Sequence, residues 1–193
     1  MITKGCLLVC LAVLFCTEIS AQDCSNFLER LQDENKGNLK LLRSKMCLIV
    51  HLQCMEDGTE FLPSKDMLRS IDMSLEENAK VAIEEILQQT SLIFRQNYTE
   101  SAWDETSMDV FQKRLDEQMK DLKTCLKVER QTGIISPRLQ QFQCTRLRVK
   151  SHFQRIQAFL REEQYSQCAW ESVQTEVHHC FLLIDQLLQR IQQ

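Results

Sequence analysis

Histidine, cysteine and carboxylate side chains crowd together at three places in the chain, and the spacing at each limits the chemistry available. His178, His179 and Cys180 are consecutive. Successive helical residues point about 100° apart, so these three cannot converge on one ion; they read as two surface histidines beside a buried cysteine. His51 and Cys54 have the spacing of a metal-ligand pair, but no second such pair accompanies them, which argues against zinc. Glu76, Glu77, Glu84 and Glu85 cluster on one helical segment. They read as a solvated face with capping help, because nothing nearby argues for the raised carboxyl pKa that general acid/base work requires. The segment from Cys24 to Cys54 has no C-x-x-C, and the chain has no Gly-rich phosphate loop, G-x-S-x-G elbow or H-E-x-x-H motif. The expectation is a protein with no catalytic residues, no metal and no cofactor.

Near the start of the chain, Lys4 precedes an apolar run, CLLVCLAVLFC, from Cys6 to Cys16, and small residues follow up to Ala21. That is the pattern of a secretory signal peptide over residues 1–21, and the run is short of the ~20 residues a membrane span needs. Residues 22–193 then form one domain large enough to bury a core. The formal charge is −4 and no basic tract is present, so nothing argues for nucleic acid. Direct membrane insertion is not expected either. Only four Gly and two Pro punctuate a chain rich in Leu, Gln, Glu and Arg, which predicts an all-α fold. Beyond Ala21 the cysteines are Cys24, Cys47, Cys54, Cys125, Cys144, Cys168 and Cys180. An odd set in an oxidising compartment leaves at least one thiol free or intermolecular, so a monomer is expected with a dimer through that cysteine open to it. Counting alone does not decide the pairing.

Five amphipathic stretches follow. From Cys24 to about Val50, Phe27 or Leu28, Leu31, Leu39, Leu42, Met46 and Ile49 make a helical stripe, interrupted over Asp33 to Asn38 by Gly37, where a bend or a late start is expected. A connection of about twenty residues after Cys54 carries Gly58 and Pro63 and is long enough to run the length of a bundle. Ser74 and Glu77 form a capping box for a second helix that ends near Gln96. Asn97-Tyr98-Thr99 is a glycosylation sequon where that helix breaks. The third helix runs from about Asp104 to Arg130. The fourth carries Phe142, Val149, Phe153, Ile156 and Leu160, and a polar link from Glu162 to Ser166 leads to the fifth. There, Trp170, Val173, Val177, Cys180, Ile184, Leu187, Leu188 and Ile191 form one apolar stripe. These features predict an all-α, five-helix cytokine bundle, a four-helix core with a long first crossover loop.

Particular residues sharpen that picture. Cys168-Ala169-Trp170-Glu171 with Val173 and Glu176-Val177, following Phe153-Gln154-Arg155-Ile156 and Tyr165-Ser166, resembles the signature of the type I interferons. Cys54 with Asp57, Phe61 and Pro63 resembles the start of that family's first long loop, and Ile93-Phe94 the end of its second helix. Trp103-Asp104-Glu105-Thr106 and Leu122 to Cys125 resemble its third. Cys24, Cys125 and the run ending at Cys180 look closest to the kappa-like branch. Another secreted helical-bundle cytokine or hormone would share the bundle but not the C-A-W-E block.

The resemblance implies two disulfides, Cys24–Cys125 and Cys54–Cys168, with Cys47, Cys144 and Cys180 left over. It implies a secreted, extracellular cytokine that binds two receptor chains on opposite faces and triggers kinase and STAT signalling and antiviral gene induction. Carried over by position, the high-affinity face comprises Met55, Gln174, Thr175, His178, His179 and Leu183. The low-affinity face comprises Glu84, Glu85, Gln88, Leu92, Arg95, Gln112 and Asp116. Gly58, Gln174 and His179 stand where familiar members carry arginine, and Gln112 and Asp116 where some carry tyrosine. Charge-assisted contacts to an acidic receptor patch are correspondingly fewer.

Overall fold

A computed structural model describes residues 26–45, 54, 76–96, 103–131 and 139–192. They form five helices, α1 (Phe27–Lys45), α2 (Glu76–Gln96), α3 (Glu105–Gln131), α4 (Leu139–Glu162) and α5 (Gln167–Ile191), and no strand occurs among the described residues. None of these helices is long and apolar enough to cross a membrane. Met55, the sequon at Asn97 and the capping serine Ser74 lie outside the described residues, as do Cys24 and Cys47.

The second helix is the centre of the bundle, packing on α3, α4 and α5, while α1 packs on α5 and α3. Every residue from Asn78 to Leu87 is buried. Contacts Arg30–Asp121 and Lys45–Asp104 make α1 and α3 antiparallel; Asn78–Thr145 and Glu85–Lys150 make α2 and α4 parallel. The core joins these helices through a chain of rings. Phe94 of α2 meets Trp103, Phe111 and Trp170, and Phe111 in turn meets Trp103 and Phe181, with centroids 5.2 to 5.9 Å apart. Such pairs add about 0.5–1.5 kcal/mol each beyond the area they bury.

Gly37 does not interrupt α1, contrary to the sequence expectation; the helix is continuous from Phe27 to Lys45. Its buried row is Phe27, Leu31, Asn35, Asn38 and Leu42, so the gap in the apolar stripe is filled by amides. Asn38 donates to Gln118 Oε1 at 2.9 Å and Asn35 to the Phe181 carbonyl at 3.1 Å. A buried amide is tolerable when it finds such partners. Gly37 itself lets the Arg114 guanidinium come close: a Cβ there would lie 3.1 Å from Arg114 Nη1.

The ends of the helices are set locally. Asp104 caps α3, its carboxylate accepting from the Ser107 amide at 2.9 Å and the Ser107 hydroxyl at 2.8 Å, with Lys45 at 2.5 Å. These bonds hold the Asp104 carboxyl far below the usual carboxylate range, the Lys45 bond contributing most. The link between α4 and α5 is a tight left-handed stop. Gln164 and Tyr165 have φ of 53° and 57°, and the Tyr165 amide bonds back to the Leu160 carbonyl at 2.8 Å, the pattern that ends many helices on glycine. Ser166 then caps α5, accepting from the Ala169 amide at 3.2 Å.

Candidate functional site

The start of α5 is fastened to the chain twice. Cys168 is bonded to Cys54, closing a separation of 114 residues, and the next two side chains, Ala169 and Trp170, are buried. Glu171 is buried as well. The C-A-W-E block is therefore a fold element, one staple and one aromatic anchor, and presents none of these three side chains to solvent. Cys125 is also disulfide-bonded, to a partner outside the described residues. Cys144 is free and exposed, so it does not bridge to Cys47, and Cys180 is free and buried as its place on the apolar stripe predicts.

Past this anchor, α5 turns a row of side chains outward. Thr175 and His178 are half-buried and His179 and Leu182 exposed, positions that share one helical face. Thr175 donates to the Glu171 carbonyl at 3.0 Å, and His179 Nδ1 lies 3.5 Å from Glu176 Oε2. Partial burial lowers the His178 pKa, and the neighbouring His179 and Arg43 charges lower it further. Two of the expected contacts sit differently. Gln174 is buried, and neither end of its amide has a hydrogen-bond partner among the described residues; it lies one residue from Val173 on the wide buried side of α5 and does not belong to the open row. Leu183 is half-buried and packs against the core. Leu182 is the apolar side chain that faces out, and it was legible: two residues from both Cys180 and Ile184, it points away from their stripe.

The expected low-affinity set divides in two. Arg95 of α2 grips Asp116 of α3 with two bonds from one nitrogen, 2.6 and 2.7 Å, and reaches Gln112 Oε1 at 3.2 Å, where Ser91 also donates at 2.9 Å. Leu92 is exposed beside them. Arg95, Gln112, Asp116 and Leu92 therefore form one open patch across α2 and α3, and Gln88 is half-buried one turn before Leu92. Glu84 and Glu85 do not join it, and they are not a solvated face. Both are buried against α4, where Arg146 bonds Glu84 Oε2 and, at 3.2 Å, Glu85 Oε2. Lys150 lies 3.9 Å from Glu85, and Gln89 donates to it at 2.8 Å. The reason is the central place of α2: a helix covered on all sides must pair its carboxylates internally. Neither helix's own pattern gives this pairing, since which helix lies against which is not written in either.

A third cluster was not foreseen. His152 of α4 meets Glu176 and Cys180 of α5, with His152 Nε2 2.9 Å from Glu176 Oε1 and 3.9 Å from Cys180 Sγ, all three residues buried. His178 and His179 were the histidines that drew attention beside Cys180, yet the one that reaches it comes from another helix.

Comparison with known proteins agrees with this architecture. A family model described as the interferon alpha/beta domain matches residues 27–191. Human interferon alpha-8 is 32% identical over 189 residues, covering 96% of this chain and 95% of the relative. Human interferon epsilon is 28% identical over 184 residues, covering 94% and 85%. Among solved structures, zebrafish interferon 2 superimposes with a TM-score of 0.63 at 23% identity, covering 80% of this chain and 97% of the other, a likeness of fold. The C-A-W-E block with its buried Ala169, Trp170 and Glu171, the Cys54–Cys168 staple and the five-helix core are thus accounted for together: the chain belongs to the interferon alpha/beta family of helical cytokines, which are not enzymes.

Proposed function

We propose that this chain is a secreted type I interferon, released after loss of residues 1–21, that binds and bridges two chains of the interferon alpha/beta receptor. The bridged receptors bring their associated kinases together, and STAT signalling and antiviral gene induction follow. The observation that carries this reading is the pair of separate open patches: Thr175, His178, His179 and Leu182 on α5, and Leu92, Arg95, Gln112 and Asp116 across α2 and α3. The α5 patch is the high-affinity side and the α2/α3 patch the low-affinity side. Met55 belongs to the first by its place next to Cys54, which is fastened to the head of α5. A Cys24–Cys125 bridge supplies the partner Cys125 requires, and a glycan at Asn97 follows from the sequon.

With arginine absent at His179, the α5 patch relies on imidazoles and on Leu182, so charge steering is weak and apolar contact matters more. The test measures binding to each isolated receptor ectodomain alongside an antiviral reporter in cells of the same species. His179→Ala with Leu182→Ala is expected to weaken one receptor chain about tenfold or more while leaving the other unchanged. Leu92→Ala with Arg95→Ala is expected to do the reverse, and both lower the reporter response. Equal loss toward both chains from either variant overturns the two-patch assignment.

A further inference from the structure

We propose that His152, Glu176 and Cys180 form a zinc site that ties α4 to α5. Glu176 and Cys180 are four residues apart on α5 and so share a face, and His152 projects into it from α4. One donor atom from each residue lies within 4.8 Å of the other two. Tetrahedral zinc, at about 2.0 Å from nitrogen and oxygen and about 2.3 Å from sulfur, holds its ligand atoms roughly 3.3 to 3.6 Å apart. The observed separations of 2.9 Å for His152–Glu176 and 3.9 Å for His152–Cys180 bracket that range, so small side-chain rotations seat the three protein ligands, and a water molecule takes the fourth tetrahedral position.

The donor set also suits the ion. Imidazole, thiolate and carboxylate are the groups zinc takes in proteins, and a neutral imidazole, one thiolate and one carboxylate cancel its two positive charges. A buried site thereby carries no net charge, which removes the main penalty for placing an ion in the interior. Forming the zinc–sulfur bond displaces the Cys180 proton to solvent. In the metal-free chain burial keeps that thiol protonated, so Cys180 is a poor nucleophile until a cation arrives. His179, largely exposed and 3.5 Å from the other oxygen of Glu176, holds the carboxylate from outside, the role outer-shell partners play for metal-bound carboxylates. It also marks the side from which an ion enters.

Cobalt(II) titration of the full mature chain, disulfides intact and without a histidine tag, tests this. The expected result is the visible spectrum of tetrahedral cobalt with a thiolate-to-cobalt charge-transfer band, saturating at one equivalent and abolished by zinc. Cys144→Ser leaves it unchanged. Cys180→Ser and His152→Gln remove it with the helical circular dichroism intact, and His179→Ala weakens zinc roughly 10- to 100-fold. Absence of the band, or its survival in Cys180→Ser, overturns the site. Should both ligand variants lose helicity, zinc X-ray absorption on the Cys144→Ser chain decides: one sulfur neighbour supports the site and a shell of nitrogen and oxygen alone refutes it. Receptor binding plays no part in these readouts, so the site stands or falls apart from the bridging function.

Discussion

Midway along, α2 sets Glu84 and Glu85 against Arg146 of α4, with both carboxylates buried; near its end it sets Arg95 against Asp116 of α3, with each side chain about half exposed at 51%. The chemistry is the same guanidinium–carboxylate contact, and the family resemblance assigned all three of these α2 residues, together with Asp116, to one recognition face. Burial separates them. At the first contact the two carboxylates are buried, while Arg146 keeps 28% of its side chain exposed, and the carboxylates have only that guanidinium and their immediate neighbours for compensation. At the second, water and a binding partner can replace either member. The first is accordingly a structural clamp, the second an available surface, and the division falls where α2 emerges from beneath its neighbours.

Removing one member of each contact separates the two settings. Arg146→Ala strands two buried carboxylates and is expected to destabilise the fold by about 3–5 kcal/mol in urea unfolding. Arg95→Ala is expected to cost under about 1 kcal/mol of stability while weakening one receptor chain. Equal destabilisation by both would erase the distinction. A double-mutant cycle on Arg95 and Asp116 should give a coupling of about 0.2–1 kcal/mol that fades in high salt, whereas the cycle on Arg146 and Glu85 should keep its coupling.

The smallest expected effect lies on α5, where His178 is intermediate between these two settings. Its partial burial penalises the charged imidazole, so the folded chain holds fewer protons there than the unfolded chain. Its contribution to stability is complete above the ordinary imidazole value near 6.5 and declines as pH falls through that value toward the lowered folded one. Thermal unfolding followed from pH 7.5 to about 5.5 should show this decline, and His178→Gln should flatten it; an unchanged slope would assign the decline to other groups.

Most helices were legible because each carries its own signal. The stripe predicted from Trp170 to Ile191 is buried as far as Leu188, with Ile191 partly buried against the core, and the polar link ending at Ser166 coincides with the observed turn and cap. Gly37 misled because a missing apolar pair reads as a break, whereas Asn35 and Asn38 are buried with partners more than seventy residues away in sequence. Glu84 and Glu85 misled for a related reason: polarity predicts exposure only on a helix with an open side, and α2 has little of one over this stretch; Gln174 misled because the buried side of α5 is wide enough to take it in beside Val173.

The sequence by itself determined that the chain is all-α, where four of its five helices lie, that Cys180 is a core residue, and, through the C-A-W-E block, to which family it belongs. These follow from periodicity, punctuation and a local run of residues, which neighbouring helices do not alter. Only the tertiary structure decided that Arg146 holds Glu84 and Glu85, that Arg95 and Asp116 remain open, and that His152 meets Glu176 and Cys180. Those groupings depend on which helix lies against which, and in what register. Many weak packing contacts set that arrangement collectively, and it is encoded in no single stretch of the chain.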